Sequence, residues 1–304
     1  PNYNAVPEQL MAEKNLTEIT NGAAELTPTS DYISHHLTNL TYGWCEKSQT
    51  WGFANHQQTL FNETSCKVSD MGFWSFHLDT IIMSTFLGAV FFGFFGLVLM
   101  SAKKGVPGKV QNFAEFVFEF ISGAVKSNFH GTSKIIGPLA FTSCVWILSW
   151  NLMDLLPVEL TNFVGSAGAG VDYFKLLPTA DVNAPLALAL VVMFFVTYYT
   201  IANHGLGGFL KEFINPIELV GYFSKHVALA LRLYGNLFAG EMIFILIGIM
   251  FGQFLMSFGQ TLWFIPGLMM NLVWALFHIL IIALQAYIFM MLTIAYINLA
   301  CAKH

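Results

Sequence analysis

The chain has 304 residues, 56% of them hydrophobic and only 10% charged, with 30 phenylalanines. A soluble exterior needs roughly 25% charged residues, so lipid must cover much of this surface. With 18 acids against 13 bases and a net charge of −5, no basic face is large enough to hold a nucleic acid.

In chain order, residues 1–78 hold no basic segment followed by an apolar run, so no cleavable signal peptide is visible. Beyond them the charges punctuate the sequence. Residues 80–100, 135–153 and 182–210 are free of Asp, Glu, Lys and Arg. A bilayer core of about 30 Å needs about 20 apolar residues as a helix, so each stretch predicts one span, near 79–101, 135–156 and 184–203. Residues 242–302 are also free of charge, and as one rod they would measure about 90 Å. The run must fold back, and Phe264-Ile265-Pro266-Gly267 is the expected break. With Pro216 as a first-turn residue, the last two helices are expected over 216–256 and 268–302. At about 60 and 52 Å both must tilt, by about 55–60°, to fit the bilayer.

Between the first two spans, Val110, Phe113, Val117, Phe120, Ile121 and Ala124 recur at helical spacing, with Gln111, Glu115, Glu119 and Lys126 elsewhere. This predicts an interfacial amphipathic helix near 109–129. The expected fold is an all-α polytopic membrane protein: an extracytoplasmic segment 1–78, then a membrane domain 79–304 with about five crossing helices and one interfacial helix. Lys103, Lys104, Lys109, Lys126 and Lys134 crowd one loop, whereas the first 79 residues hold three Lys and nine acids. The positive-inside rule places that loop and the C-terminus in the cytoplasm and the N-terminus outside.

Four cysteines stand at 45, 66, 144 and 301 with no C-x-x-C pair, which argues against a zinc or redox motif; no metal and no cofactor is expected. Cys45 and Cys66 share the outer segment, where disulfides persist, and are expected to bridge.

Arg232 is the only arginine in the chain. At the centre of a membrane helix an arginine costs at least about 2.5–3.5 kcal/mol, and it cannot escape by losing its proton. A snorkelling interfacial arginine is the simpler alternative, but apolar helix continues beyond it and polar residues flank it on both sides. At about 100° per residue, Glu218, Lys225 and Arg232 follow one face, Asn236 lies one turn on, and Glu241 falls roughly opposite. His278 and Gln285 share a face of the last helix, and Asp154 adds a carboxyl at the end of the second span. A polar stripe in lipid-like helices is a candidate ion path; interhelical hydrogen bonding is the structural alternative. Glu241 and His278 are expected to be partners, since a carboxylate beside an imidazole makes a relay near neutral pH.

LALRLYGNLFAGE (229–241), NLMDLLP (151–157), PTADVN (178–183) and FHILIIALQAYIFMMLTIAY (277–296) closely resemble subunit a of bacterial rotary ATP synthases. The resemblance spans roughly 70–302. It implies the stator half of a proton motor, packed against an oligomeric ring of c subunits and held by peripheral-stalk b subunits, with the soluble catalytic head an indirect partner. By that resemblance Arg232 is the ring-facing cation. Asn236, Glu241, His278, Gln285 and Asp154 belong to the outer half-channel, and Glu218 and Lys225 to the inner one. Where the family often has Pro after that lysine, this chain has His226.

A secondary ion or solute transporter with a midplane polar site is the alternative; the absence of an internal repeat counts against it. An intramembrane hydrolase needs a nucleophile beside its base, and no Ser or Cys stands at a helical spacing that would serve His278. No G-x-x-x-x-G-K loop is present for a nucleotide.

Overall fold

The computed structural model describes residues 39–46, 49–54, 71–103, 105–129, 133–156, 177–257 and 264–302. Cys66, Lys303 and His304 lie outside the described residues. Six helices carry the architecture: α1 Leu78–Met100, α2 Lys109–Asn128, α3 Ile136–Leu152, α4 Asn183–Ile214, α5 Pro216–Ser257 and α6 Phe264–Cys301. All but α2 are long and apolar enough to cross a membrane.

Local chemistry sets the helix ends. Pro157 disfavours helical backbone in the residue before it, and Leu156 is extended after a 3-10 turn over Met153–Leu155. The same rule opens Asn215 to ψ 110° before Pro216 starts α5. Within α4, Gly205 sits at φ 72°, which breaks the helix just past the span expected at 184–203. Phe264-Ile265-Pro266-Gly267 is not the break expected from the sequence; it is the first turn of α6. A first-turn N–H has no intrahelical acceptor, so the proline gives up nothing there. Helices α5 and α6 run 42 and 38 residues without interruption, about 63 and 57 Å long.

The core lies among α3, α4, α5 and α6. Leu229, Leu233 and Leu237, one turn apart on α5, are buried with Ile282, Phe289 and Ile294 of α6 and Ile147 of α3. Lipid tails are as apolar as leucine, so this core is held by close packing rather than by escape from water. Helix α1 leans on the bundle through Gly88, where an added Cβ would lie 2.8 Å from the Trp146 ring. Helix α2 stacks Phe118 flat on Phe141 of α3, with centroids 4.3 Å apart. It buries Ala114 and Ile121 and turns Phe113 and Phe120 outward, as an amphipathic helix at a lipid boundary does.

The sequence reading did not foresee a three-stranded antiparallel sheet before α1: β1 Thr41–Cys45, β2 Thr50–Phe53 and β3 Met71–His77, in the order β2-β1-β3. Strand β3 runs directly into α1, which fixes the sheet to that end of the bundle. Cys45 is disulfide-bonded, while the thiols of Cys144 and Cys301 are free.

Candidate functional site

At the sheet end of the bundle, three elements bring polar side chains together inside apolar surroundings. Asp154 comes from the 3-10 turn that closes α3, and its Oδ2 is ion-paired with Nε2 of His278 on α6. The imidazole is fully buried, and the carboxylate side chain is only 8% exposed. Gly240 of α5 lies flat against the ring: a Cβ there would stand 2.2 Å from Cε1 of His278. Phe244, one turn on, meets the same ring edge-on at 5.4 Å. Glu241 is buried beside Gly240. Deeper along the same helix pair, Asn236 Nδ2 donates to Oε1 of the buried Gln285 at 2.9 Å.

These contacts correct one expectation. The carboxylate that pairs with His278 is Asp154, not Glu241, and among the described residues Nδ1 of that ring has no hydrogen-bond partner. Helix phase explains why: the residue of α5 at closest approach to the imidazole is Gly240, and the next side chain is turned by about 100°. Asp154, which the sequence puts at the end of the second span, is brought to His278 by the packing of α3 against α6.

Arg232 stands apart from that cluster. It is exposed on α5, and among the described residues no carboxylate lies within ion-pairing distance of it. Asn236 is exposed on the same face, whereas Glu241 is turned inside, as the helical phase requires.

At the other end, the last turns of α4 and α6 and the first turns of α5 enclose a cavity of about 960 Å³. Glu218 and Lys225 line it together with His204, Thr200, His226 and Tyr296. Both Glu218 and Lys225 are exposed. Asn215 Nδ2 holds Glu218 Oε1 at 3.2 Å. The two residues predicted as a pair are thus brought to one cavity. The sequence did not assign His226 to it; the signal was an imidazole at the buried phase of a helix that carries Lys225 on its exposed phase.

A second polar cluster, also unforeseen, joins the sheet to the bundle. Nδ1 of His77 donates to Asp181 Oδ2 at 2.6 Å, and the Thr80 hydroxyl donates to the same oxygen at 3.1 Å. Asp181 Oδ1 accepts the Asn183 N–H at the start of α4. Burial pushes the Asp181 carboxyl up. The bonds from His77, Asn183 and Thr80 and the charge on His77 together outweigh it and hold the carboxyl below its ordinary value. The fully buried Asp79 accepts the Leu40 N–H at 3.0 Å and the Thr80 N–H at 2.8 Å. Among the described residues no cluster of His, Cys, Asp and Glu is arranged to hold a metal ion.

The family model described as ATP synthase A chain matches residues 81–298. The chain is similar to the protein named ATP synthase subunit a from Tolumonas auensis, 43% identical over 236 residues, which cover 73% of this chain and 86% of that one. It is likewise 43% identical over 231 residues to ATP synthase subunit a of Glaesserella parasuis, covering 71% and 85%. To the protein of that name from Shewanella sp. strain MR-4 it is 44% identical over 233 residues, covering 72% and 85%.

Proposed function

Because the chain belongs to the ATP synthase A chain family, we propose that Arg232 divides two offset proton half-channels that meet a rotating ring of c subunits. The chain is a multi-pass membrane protein, a proton-translocating stator subunit of the membrane sector, and performs no bond-making chemistry itself. In this reading Asp154, His278, Glu241, Asn236 and Gln285 form the outer path and Glu218 and Lys225 the inner one. The N-terminus lies outside and the C-terminus in the cytoplasm. The ring, the peripheral-stalk b subunits and, indirectly, the catalytic head are the partners.

The observation that carries the proposal is the position of Arg232: an exposed cation without a carboxylate partner among the described residues, on α5 between a buried polar cluster and an open polar cavity. A ring carboxylate moving through lipid must stay protonated, because an unpaired charge there is prohibitive. A fixed cation lowers its pKa, so the acid releases its proton in front of Arg232. The guanidinium keeps its own proton and therefore blocks direct passage from one path to the other. Reprotonation from the opposite path lets the site re-enter lipid, and each charge moved yields about 2.3 kcal/mol per 100 mV.

Arg232→Ala and Arg232→Lys test this in the assembled complex. Both are expected to abolish proton-driven ATP synthesis while the ring and stalk still co-purify, because a desolvated lysine can lose its proton where arginine cannot. Full synthesis by the lysine variant would overturn the role given to Arg232.

A further inference from the structure

Of the titratable groups that line the cavity, His226 is buried, at 4% exposure, while Glu218 and Lys225 are open. Its Nδ1 lies 2.8 Å from the carbonyl oxygen of Tyr222, one turn back. A carbonyl only accepts, so Nδ1 carries the hydrogen. In the neutral ring Nε2 is then a bare lone pair, and that nitrogen is buried without a hydrogen-bond partner among the described residues. The ring is held from two helices, 5.1 Å from Tyr222 of α5 and 5.8 Å from Tyr296 of α6, centroid to centroid. A packing role alone would favour an apolar ring, since a buried polar atom left unpaired costs about 1–3 kcal/mol.

Location gives the lone pair a use. His226 borders the cavity of about 960 Å³, against about 30 Å³ for one water in the liquid. Along α5 it stands about 9 Å from the level of Arg232 and about 12 Å from that of Glu218. We propose that His226 is a proton-relay residue of the inner path, passing protons between the ring site in front of Arg232 and the cavity beside Glu218. The inference rests on the function proposed above.

The transfer balances. A local opening that lets water reach the buried Nε2 allows it to accept a proton along a water chain from the discharging ring acid and become N–H, while Nδ1 keeps its own hydrogen on the Tyr222 carbonyl. Nε2 then releases that proton to cavity water and the ring returns to neutral, with nothing stored. An imidazole suits this because its unperturbed pKa lies near working pH. The groups that bias it are Glu218, which favours the charged ring, and Lys225 on α5 and His204 on α4, which oppose it when charged. Helix α6 lines the cavity with Tyr296, Leu299 and Ala300, none of them charged.

The test uses inverted vesicles carrying the whole complex, and vesicles stripped of the catalytic head for passive conduction. His226→Phe keeps a ring between the two tyrosines, His226→Gln keeps polarity without titration, and His226→Ala leaves room for added imidazole. All three are expected to assemble and to slow conduction about tenfold, less than the usual worth of an acid–base group because cavity water offers a bypass. The pH dependence between about 6 and 8 should flatten, and imidazole should restore conduction in the alanine variant alone. Wild-type conduction and pH profile in His226→Phe would overturn the relay, as would failure of all three to assemble, which assigns His226 to packing. Arg232→Ala run in parallel separates the two claims. If it abolishes synthesis while the His226 variants behave as wild type, only the relay fails; if it leaves synthesis intact, the half-channel reading fails.

Discussion

The two ends of the α5–α6 pair handle polar residues in opposite ways. At the sheet end His278, Gln285 and Glu241 are buried; His278 is paired with Asp154 and packed on Gly240, and Gln285 accepts from Asn236. At the other end Glu218 and Lys225 stand exposed around a cavity of about 960 Å³. A buried polar network depends on every member being satisfied, whereas water can stand in for a missing group in an open cavity. Single substitutions should therefore be severe at the first end and mild at the second.

The sharpest test is the ion pair. Asp154→Asn and His278→Gln are each expected to cut ATP-driven proton pumping by about a hundredfold, since each removes one titrating member of a buried pair and strands the other. The double variant should be no worse than the poorer single, a coupling of about 0.5–3 kcal/mol. If the two losses simply multiply, Asp154 and His278 act independently and the contrast between the ends loses its basis.

Gly240→Ala tests the same end without touching a titratable group. The new Cβ would meet the imidazole at 2.2 Å, so the ring and its bond to Asp154 must shift. Overpacking of this kind costs about 1–3 kcal/mol. If that cost falls on the transport barrier, pumping drops by about five- to a hundredfold, with the complex still assembled. A Gly240→Ala complex that pumps normally would mean the ring position is not critical.

The cavity end predicts the opposite. Glu218→Gln keeps the hydrogen bond from Asn215 and removes only the charge, so pumping should fall by no more than about threefold while water carries the proton. A hundredfold loss would make the open end as demanding as the buried one.

Much of this contrast was legible in the sequence, and its gaps have physical causes. Charge-free runs located the membrane helices, and the spacing of Glu218, Lys225 and Arg232 placed them on the open phase of α5, because helical period and bilayer thickness are one-dimensional constraints. The partner of His278 was not legible. Glu241 and Asp154 are both carboxylates of the right depth, and only the approach of α3 to α6 brings Asp154 to Nε2. The sheet was missed because its strands are short and two of them are joined across a long segment, so no local alternation announces the pairing. The tie made by Asp181 was not legible either, since its bond to His77 spans 104 positions of sequence.

That bond supports the smallest effect. His77 ends β3, Thr80 opens α1 and Asn183 opens α4, so the Asp181 carboxylate ties the sheet and two helices together. Because the folded state holds this carboxyl below its ordinary value, its contribution to stability is complete above the unfolded carboxylate pKa of about 3.9 and fades as pH falls through the lower folded value. Above about pH 5 the tie should not respond to acid through Asp181 at all. Amide hydrogen exchange in Thr41–Cys45 and Met71–His77, corrected for the intrinsic rate, checks this. In the wild type the part of the protection that Asp181 supplies should drop only in acid stronger than about pH 5. Asp181→Asn cannot carry the charge, so protection should be lower at neutral pH and change less in acid. Pumping at neutral pH should alter by less than about twofold, because the cluster lies outside both proposed proton paths. An unchanged acid response in Asp181→Asn would move the switch to another group and leave Asp181 a neutral hydrogen-bonding post.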